Sequence, residues 1–374
     1  MLAHVPWGLI FTTLAIAGIG IYNLASAARV PTMWMSQSAY LGVGLIAMAA
    51  VCLVDYRFFH QWAPVLYGLN LLACCALFVI GHKAKGAVGW FVIGPLRLQP
   101  AEFMKIGVIL MLARYYHDTH RPSEPSYGLV RLIPPLLIVL VPAAVIVIQP
   151  DLGTSMMILL ASATVILFGR PKLWIVVALA MALLSVSVVI WNDFVRDPSD
   201  NHRTLIRHAM KLHQQQRIVS WLNPEADVRG ASYHAVQSMI AVGSGELTGK
   251  GWRQGTQTGL SFLPEQHTDF IFSVWAEEHG FLACLLLLLL YGGMLLGSLG
   301  VAFGARDRFG AFVAVGVAAM IFWHVFQNIG MVIGLLPVTG ITLPLMSYGG
   351  SSLVSVLISL GLVVNVGMRR HMFT

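Results

Sequence analysis

From Phe281 to Phe303, with Leu285 to Leu290 in its middle, the chain runs without one Asp, Glu, Lys, Arg or His. A bilayer's hydrocarbon core takes roughly 20 apolar residues of helix to cross, so this stretch is long enough to span it. In lipid the backbone must satisfy itself, which a helix does within its own segment. Similar apolar stretches lie at about 6 to 28, 37 to 54, 61 to 81, 98 to 116, 130 to 148, 153 to 169, 171 to 192, 270 to 303, 309 to 334 and 348 to 368. Only 10% of the 374 residues are charged and 57% are hydrophobic, whereas soluble domains carry about 25% charged residues. The expected fold is all-α: a polytopic membrane protein of ten transmembrane helices, forming one domain over 1–374. A long extracytoplasmic loop, about 193 to 269, separates helices 7 and 8.

Orientation follows from where Lys and Arg fall in short loops. With the N-terminus cytoplasmic, the inner loops hold Arg57, Arg114, Arg121, Arg131, Arg170, Lys172, Arg306, Arg308, Arg369 and Arg370, against Arg29, Lys83, Lys85 and Arg97 outside. Both termini are therefore expected inside. Ala25-Ser26-Ala27 resembles a signal-peptidase site, but the apolar run before it is long and lacks a preceding Lys or Arg, which favours a retained first helix. The net charge of +7 reflects this inward bias and the outer loop, and implies no nucleic-acid partner. Cys52, Cys74, Cys75 and Cys284 all fall within apolar stretches and read as fillers. The 13 His show no metal-ligand spacing.

Every even-numbered span begins at the outer face, and an unusual polar segment marks four of those beginnings. They are Gln99-Pro100-Ala101-Glu102, Gln149-Pro150-Asp151, His267-Thr268-Asp269 and Ser347-Tyr348-Gly349-Gly350-Ser351-Ser352. Acids at helix starts serve as caps or as functional groups, and both readings apply here. Glu102 and Lys105, three residues apart, share one helix face inside the apolar zone, where charges face protein or a wet cavity. Lys83, Lys85 and Arg97 form a basic outer loop, suited to lipid headgroups or to a phosphate-bearing substrate. Trp90 in that loop reads as an interfacial anchor. Arg203 to Leu222 is amphipathic and basic, fit to lie in the interface or pack as a lid. Gly243 to Gly251 lacks the spacing of a nucleotide loop and reads as a mobile substrate loop.

Two longer motifs carry a family resemblance: Leu263-Pro264-Glu265-Gln266-His267-Thr268-Asp269-Phe270-Ile271-Phe272, and the run from Leu336-Pro337-Val338-Thr339-Gly340 through Ser347-Tyr348-Gly349-Gly350-Ser351-Ser352. Over nearly its whole length the chain resembles the SEDS family (shape, elongation, division and sporulation). Tyr233 to Ser238 and Ala241 to Gly245 look like its RodA branch more than its FtsW branch. The resemblance implies a peptidoglycan glycosyltransferase that polymerises lipid II at the outer face of the bacterial cytoplasmic membrane, for elongation and rod shape. It also implies a class B penicillin-binding protein as partner. Asp269 matches the family's essential acid, and Glu102, Lys105 and Asp151 match polar residues of its central cavity. His267, Thr268, Ser347 and Tyr348 belong to the matching motifs and are candidate substrate contacts. Gly89 precedes Trp90 where the family often has Arg, and Ala101 stands where Ser is usual. Lys83, Lys85 and Arg97 are then the local candidates to meet the pyrophosphate.

On this reading Asp269 is the expected general base of an inverting transfer. The departing pyrophosphate is met by cations, either side chains or a divalent ion such as Mg2+. The alternative is transport, a flippase for the lipid-linked precursor. Charges clustered at one face and the lack of an inverted repeat weigh against it.

Overall fold

The structure, a computed structural model, describes residues 4–28, 30–84, 87–94, 96–121, 126–191, 212–222, 233–260, 262–263 and 265–370. A helix lies at each of the ten apolar stretches: α1 (Trp7–Ala27), α2 (Thr32–Leu53), α3 (Tyr56–Ile80), α4 (Pro100–Asp118), α5 (Leu129–Ile148), α6 (Leu152–Phe168), α7 (Leu173–Trp191), α11 (Ile271–Phe303), α12 (Arg308–Val332) and α13 (Gly350–Met368). Three shorter helices, α8 (Leu212–Leu222), α9 (Tyr233–Ser244) and α10 (Thr256–Gly259), occupy the long loop. Seven of these helices, α1 to α3, α5 and α11 to α13, are long and apolar enough to cross a membrane. α6 and α7 are shorter apolar helices, and α4 buries Glu102 and Lys105 in its first turns.

Burial places the centre of the bundle. Of the residues in their apolar stretches, 72% in α12 and 78% in α13 are buried, against 17% in α2 and α3. The outward faces of the peripheral helices are apolar, with Leu69, Leu72, Val79, Val130 and Leu137 exposed, as lipid requires. Without a hydrophobic drive between helices in lipid, close approach matters. Gly44 of α2 faces Leu357 of α13, and Gly361 of α13 faces the Met48 backbone.

Buried amides tie the helix ends to one another. Asn365 donates to the carbonyls of Val51 and Val54 at 2.6 and 2.7 Å, closing the end of α2. Asn23 in α1 donates 2.9 Å to Ile271 O at the start of α11. Gly367 of α13 packs beside Pro6, Arg369 bonds the carbonyls of Cys52 and Leu53, and the Tyr56 hydroxyl donates 2.6 Å to Asp307. The start of α1 and the end of α13 therefore share one face with the turn between α11 and α12.

Three loop features add to or correct the sequence reading. The basic loop before α4 contains a small antiparallel sheet in the order β1-β2-β3, made of β1 (His82–Ala84), β2 (Ala87–Ile93) and β3 (Leu96–Leu98). Period-2 alternation was hidden in so short a stretch beside long helices. Of the amphipathic segment, Leu212–Leu222 is helical, and Trp221 Nε1 reaches Gly334 O at 3.3 Å on the bundle. Residues 203–211 lie outside the described ones. The glycine-rich stretch expected to be a mobile substrate loop is instead clasped onto α11, and this is a correction. Lys250 N and Gly251 N bond Glu277 O and Glu278 O at 3.0 and 2.9 Å, while Phe281 N and Leu282 N bond Glu246 O and Leu247 O at 2.8 and 3.2 Å. Its glycines let two backbones touch where α11 kinks at Gly280, whose φ is 73°.

Candidate active site

Local sequence sets the turn that carries Asp269. The amides of Thr268, Asp269 and Phe270 converge on Glu265 O at 3.1, 3.1 and 3.3 Å, with Glu265 itself at φ 58°. α11 starts immediately afterwards, so the carboxylate stands at the mouth of a helix and is half-buried. The second motif wraps around this turn. Ser347 Oγ donates 2.7 Å to Thr268 O and accepts 2.7 Å from Leu343 N. Tyr348 N donates 2.9 Å to His267 O. The His267 and Tyr348 rings lie 6.0 Å apart.

One buried amide on α12 joins both motifs: Asn328 Nδ2 donates to Asp269 O at 2.9 Å and to Ile341 O at 2.7 Å. Gly340, at φ 73°, lies against the carboxylate, so that a Cβ there would sit 3.4 Å from Asp269 Oδ2. On the other side of this loop Gly153 of α6 would place a Cβ 3.0 Å from Thr339 O. Gln37 of α2 holds the far end of the second motif, donating 3.0 Å to Ser347 O and accepting 3.1 Å from Gly349 N.

The other two polar segments connect through Gln99. Ser351 Oγ accepts 3.1 Å from Gln99 N and donates 3.0 Å to Arg97 O, and Gln99 Nε2 donates 2.9 Å to Asp151 Oδ2. Asp151 caps α6, accepting from Thr154 N at 3.0 Å and Thr154 Oγ1 at 2.8 Å. Burial pushes its carboxyl above the ordinary carboxylate range, against the pull of the Thr154 hydrogen bonds. An unbroken path of hydrogen bonds and chain thus runs from His267 through Ser347 and Ser351 to Asp151. All four polar segments singled out in the sequence meet at one end of the bundle.

Deeper lies a buried polar triad. Lys105 Nζ is 2.9 Å from Glu102 Oε2 and 3.0 Å from His324 Nε2. His324 Nδ1 is 2.7 Å from Met320 O; its proton is therefore assigned to Nδ1, and Nε2 accepts from Lys105. Ser355 Oγ adds a 3.2 Å bond to Glu102. One positive and one negative charge compensate each other with every near partner satisfied, which is what burial demands.

Of the three cations of the basic loop before α4, two lie among the described residues. Arg97 is exposed, Lys83 lies in β1 opposite Val88, and Lys85 lies outside the described residues. Sequence reading missed Glu277, His324 and Asn328. Glu277 is fully buried and accepts from Lys250 Nζ at 2.7 Å, Thr256 Oγ1 at 3.1 Å, Gln257 N at 3.0 Å, Thr258 N at 3.3 Å and Thr258 Oγ1 at 3.2 Å. It thereby holds the segment leading into the Asp269 turn. Two adjacent acids, Glu277 and Glu278, inside an apolar helix were the available signal.

The family profile described as "Cell cycle protein", for FtsW, RodA and SpoVE, matches residues 2–372. The chain belongs to this family. It is 38% identical to the peptidoglycan glycosyltransferase MrdB of Escherichia coli over 336 residues, covering 89% of this chain and 85% of that one. It is 30% identical to the peptidoglycan glycosyltransferase RodA of Treponema pallidum, covering 97% of each. Among solved structures it superposes on a chain of a peptidoglycan synthase complex that coordinates polymerization and crosslinking, with TM-score 0.80, 33% identity and 98% of both chains covered. The rod-shape-determining protein RodA of Thermus thermophilus gives TM-score 0.69 at 31% identity, covering 98% of this chain and 97% of that one. The SEDS resemblance seen in the two long motifs is thus the family relationship of the whole chain.

Proposed function

We propose that the chain is a peptidoglycan glycosyltransferase of the RodA branch, polymerising lipid II at the outer face of the bacterial inner membrane during cell elongation. The observation that carries this reading is the Asp269 turn. A half-buried carboxylate has its backbone gripped by Asn328 and lies against a residue without a side chain, in a chain 38% identical to an enzyme of that name. Both termini are cytoplasmic on this reading, consistent with the inward excess of Arg and Lys and with the shared face of α1 and α13. The crosslinking partner is a class B penicillin-binding protein, by analogy with the synthase complex.

In the proposed step Asp269 takes the proton of the acceptor 4-hydroxyl as its oxygen bonds to C1 of the donor sugar. The bond from C1 to the pyrophosphate oxygen breaks with its electron pair, releasing undecaprenyl pyrophosphate and inverting an α-linkage to a β-linkage. No covalent sugar intermediate is needed. The pyrophosphate leaves as a stabilised anion and needs cations more than an acid. Arg97, Lys83 and Lys85 are the candidates from the outer loop. Among the described residues a group of three or more metal-ligating side chains occurs only at His60, His117 and Asp118. Asp118 lies at the far end of α4 from Glu102. A divalent ion such as Mg2+ at the outer site would therefore draw its ligands mainly from substrate oxygens, as Mg2+ often does.

The test is polymerisation of lipid II by the purified chain with its partner, comparing the wild type with Asp269→Asn. We expect glycan synthesis to fall by about a hundredfold or more, the general-base contribution being ~10²–10⁴, with insertion and melting unchanged. Glycan of undiminished rate and length from the variant would remove Asp269 from the mechanism. Fluorescent lipid II in proteoliposomes separates the transport alternative: a flippase changes its sidedness without making polymer.

A further inference from the structure

Neither of two cavities among the described residues has Asp269 in its lining. The smaller, ≈270 Å³, adjoins Gln266 and Glu278 beside the Asp269 turn. The larger, ≈560 Å³, lies at the other end of the bundle. α4 and α6 begin at Gln99 and Asp151 in the candidate site and end at this cavity, through Tyr115 and Phe168; α12 begins at it with Arg308 and runs back to Asn328. Nineteen residues of α4 separate the two ends by about 28 Å at 1.5 Å per residue.

Four arginines from four separate segments converge on this cavity: Arg121 after α4, Arg131 in α5, Arg170 after α6 and Arg308 opening α12, with His120 beside them. No Asp or Glu occurs among its described lining residues. The two acids adjacent to lining residues are engaged elsewhere, Asp118 with His60 and Arg114 and Asp307 with the Tyr56 hydroxyl and Gly310 N, and Glu124 lies outside the described residues. Arg121 and Arg131 also engage other groups, so what matters is their convergence on one space. The walls are fixed. Tyr127 N bonds Arg170 O at 3.3 Å and Lys172 N bonds Tyr127 O at 3.1 Å, joining the segment before α5 to the turn after α6. The Tyr127 hydroxyl donates 2.8 Å to Ile166 O and lies 2.7 Å from the Tyr116 hydroxyl. Arg170 is held at φ 63°, a left-handed backbone that a non-glycine residue keeps only where its surroundings enforce it.

We propose that this cavity is a binding site for an anionic phosphate group, taken from the headgroup of a phospholipid in the adjacent leaflet or from a soluble phosphate ester. Guanidinium forks match pairs of phosphate oxygens. Basic pockets between membrane helices on the cytoplasmic side are suited to anionic headgroups, and the volume lies in the roughly 300–1,000 Å³ span of small-ligand sites. On the orientation proposed above, the leaflet is the cytoplasmic one. The site is independent of Asp269 and of the polymerisation step.

The experiment uses the purified full chain in two arms. In the lipid arm, native mass spectrometry measures retention of cardiolipin and phosphatidylglycerol against phosphatidylethanolamine. In the soluble arm, ³¹P line broadening measures binding of inorganic pyrophosphate. Arg170→Gln with Arg308→Gln is compared with Arg57→Gln plus Arg306→Gln, which removes the same charge from exposed positions on the same face outside the cavity. We expect the cavity variant to lose about tenfold in affinity in whichever arm binds, and the control at most about twofold. Arg→Lys at both cavity positions should recover part of it. Unchanged melting and lipid II polymerisation verify that the variants are folded. Equal losses in both variants would reduce the cavity to diffuse surface charge. Absence of anionic-lipid preference together with absence of pyrophosphate broadening would overturn the site.

Discussion

A carboxylate meant to accept a proton from a bulky sugar needs room beside it, and Gly340 supplies that room. Its left-handed backbone, φ 73°, is the second reason for glycine there. Gly340→Ala should cost about 1–2 kcal/mol in stability and lower polymerisation by more than that loss explains. Melting in detergent alongside lipid II turnover checks this, and a variant as active as the wild type would show the room to be unnecessary. Lys105 and Glu102 pose the opposite case, charges with no room at all. Removing one partner, by Lys105→Met or Glu102→Gln, should destabilise by about 3–5 kcal/mol, whereas both changes together should recover much of it. Melting of the four proteins in a double-mutant cycle decides the matter; additive losses would mean that the pair is not coupled. The pairing was legible from the spacing of three residues on one helix face. His324 was not, because a lone His in an apolar stretch carries no mark of the partner it meets across the bundle.

α11 is unusual as an element, since its first turns belong to the polar end and the rest to lipid. Gly280 breaks the helical φ between them, and the strand of loop at Gly245 to Gly251 is bonded across the break. Glu277 is the anchor on the polar side, with five hydrogen bonds to the segment that precedes the Asp269 turn. Glu277→Ala would leave the Gln257 and Thr258 amides without their acceptor, the buried Thr258 orphan alone costing about 1–3 kcal/mol. The expected result is a lower melting temperature and lower polymerisation, with Glu277→Gln intermediate because it keeps an acceptor and loses the attraction of Lys250. A wild-type melting curve for Glu277→Ala would show the clasp to be dispensable. The glycines and the paired acids were visible in the chain; that they meet was not, because backbone contacts between separate segments leave no periodic pattern.

At the scale of the whole molecule, hydropathy places every long helix to within about five residues, and the orientation rule alone groups the four polar helix starts. In the structure, Asp151 and Asp307 cap the starts of α6 and α12. The three-stranded sheet and the short helices α9 and α10 escaped, since segments this short are decided by neighbours and not by their own pattern. The orientation itself is testable by labelling. In a background without Cys52, Cys74, Cys75 and Cys284, a membrane-impermeant thiol reagent applied to intact spheroplasts should modify Leu247→Cys, which is 65% exposed, and spare Arg306→Cys until the membrane is opened. The reverse pattern would invert the proposed topology.

Asn328 has a bearing on how such proteins can be recombined. Because one side-chain amide serves the carbonyls of both Asp269 and Ile341, the two signature motifs cannot be tuned separately. A chimera that exchanges either motif with a relative, while keeping its own α12, inherits a clamp cut for a different pair. Modules of this fold should therefore be swapped as three pieces together, the turn at 265–270, the run at 336–352 and the helix that joins them, although they are scattered along the chain.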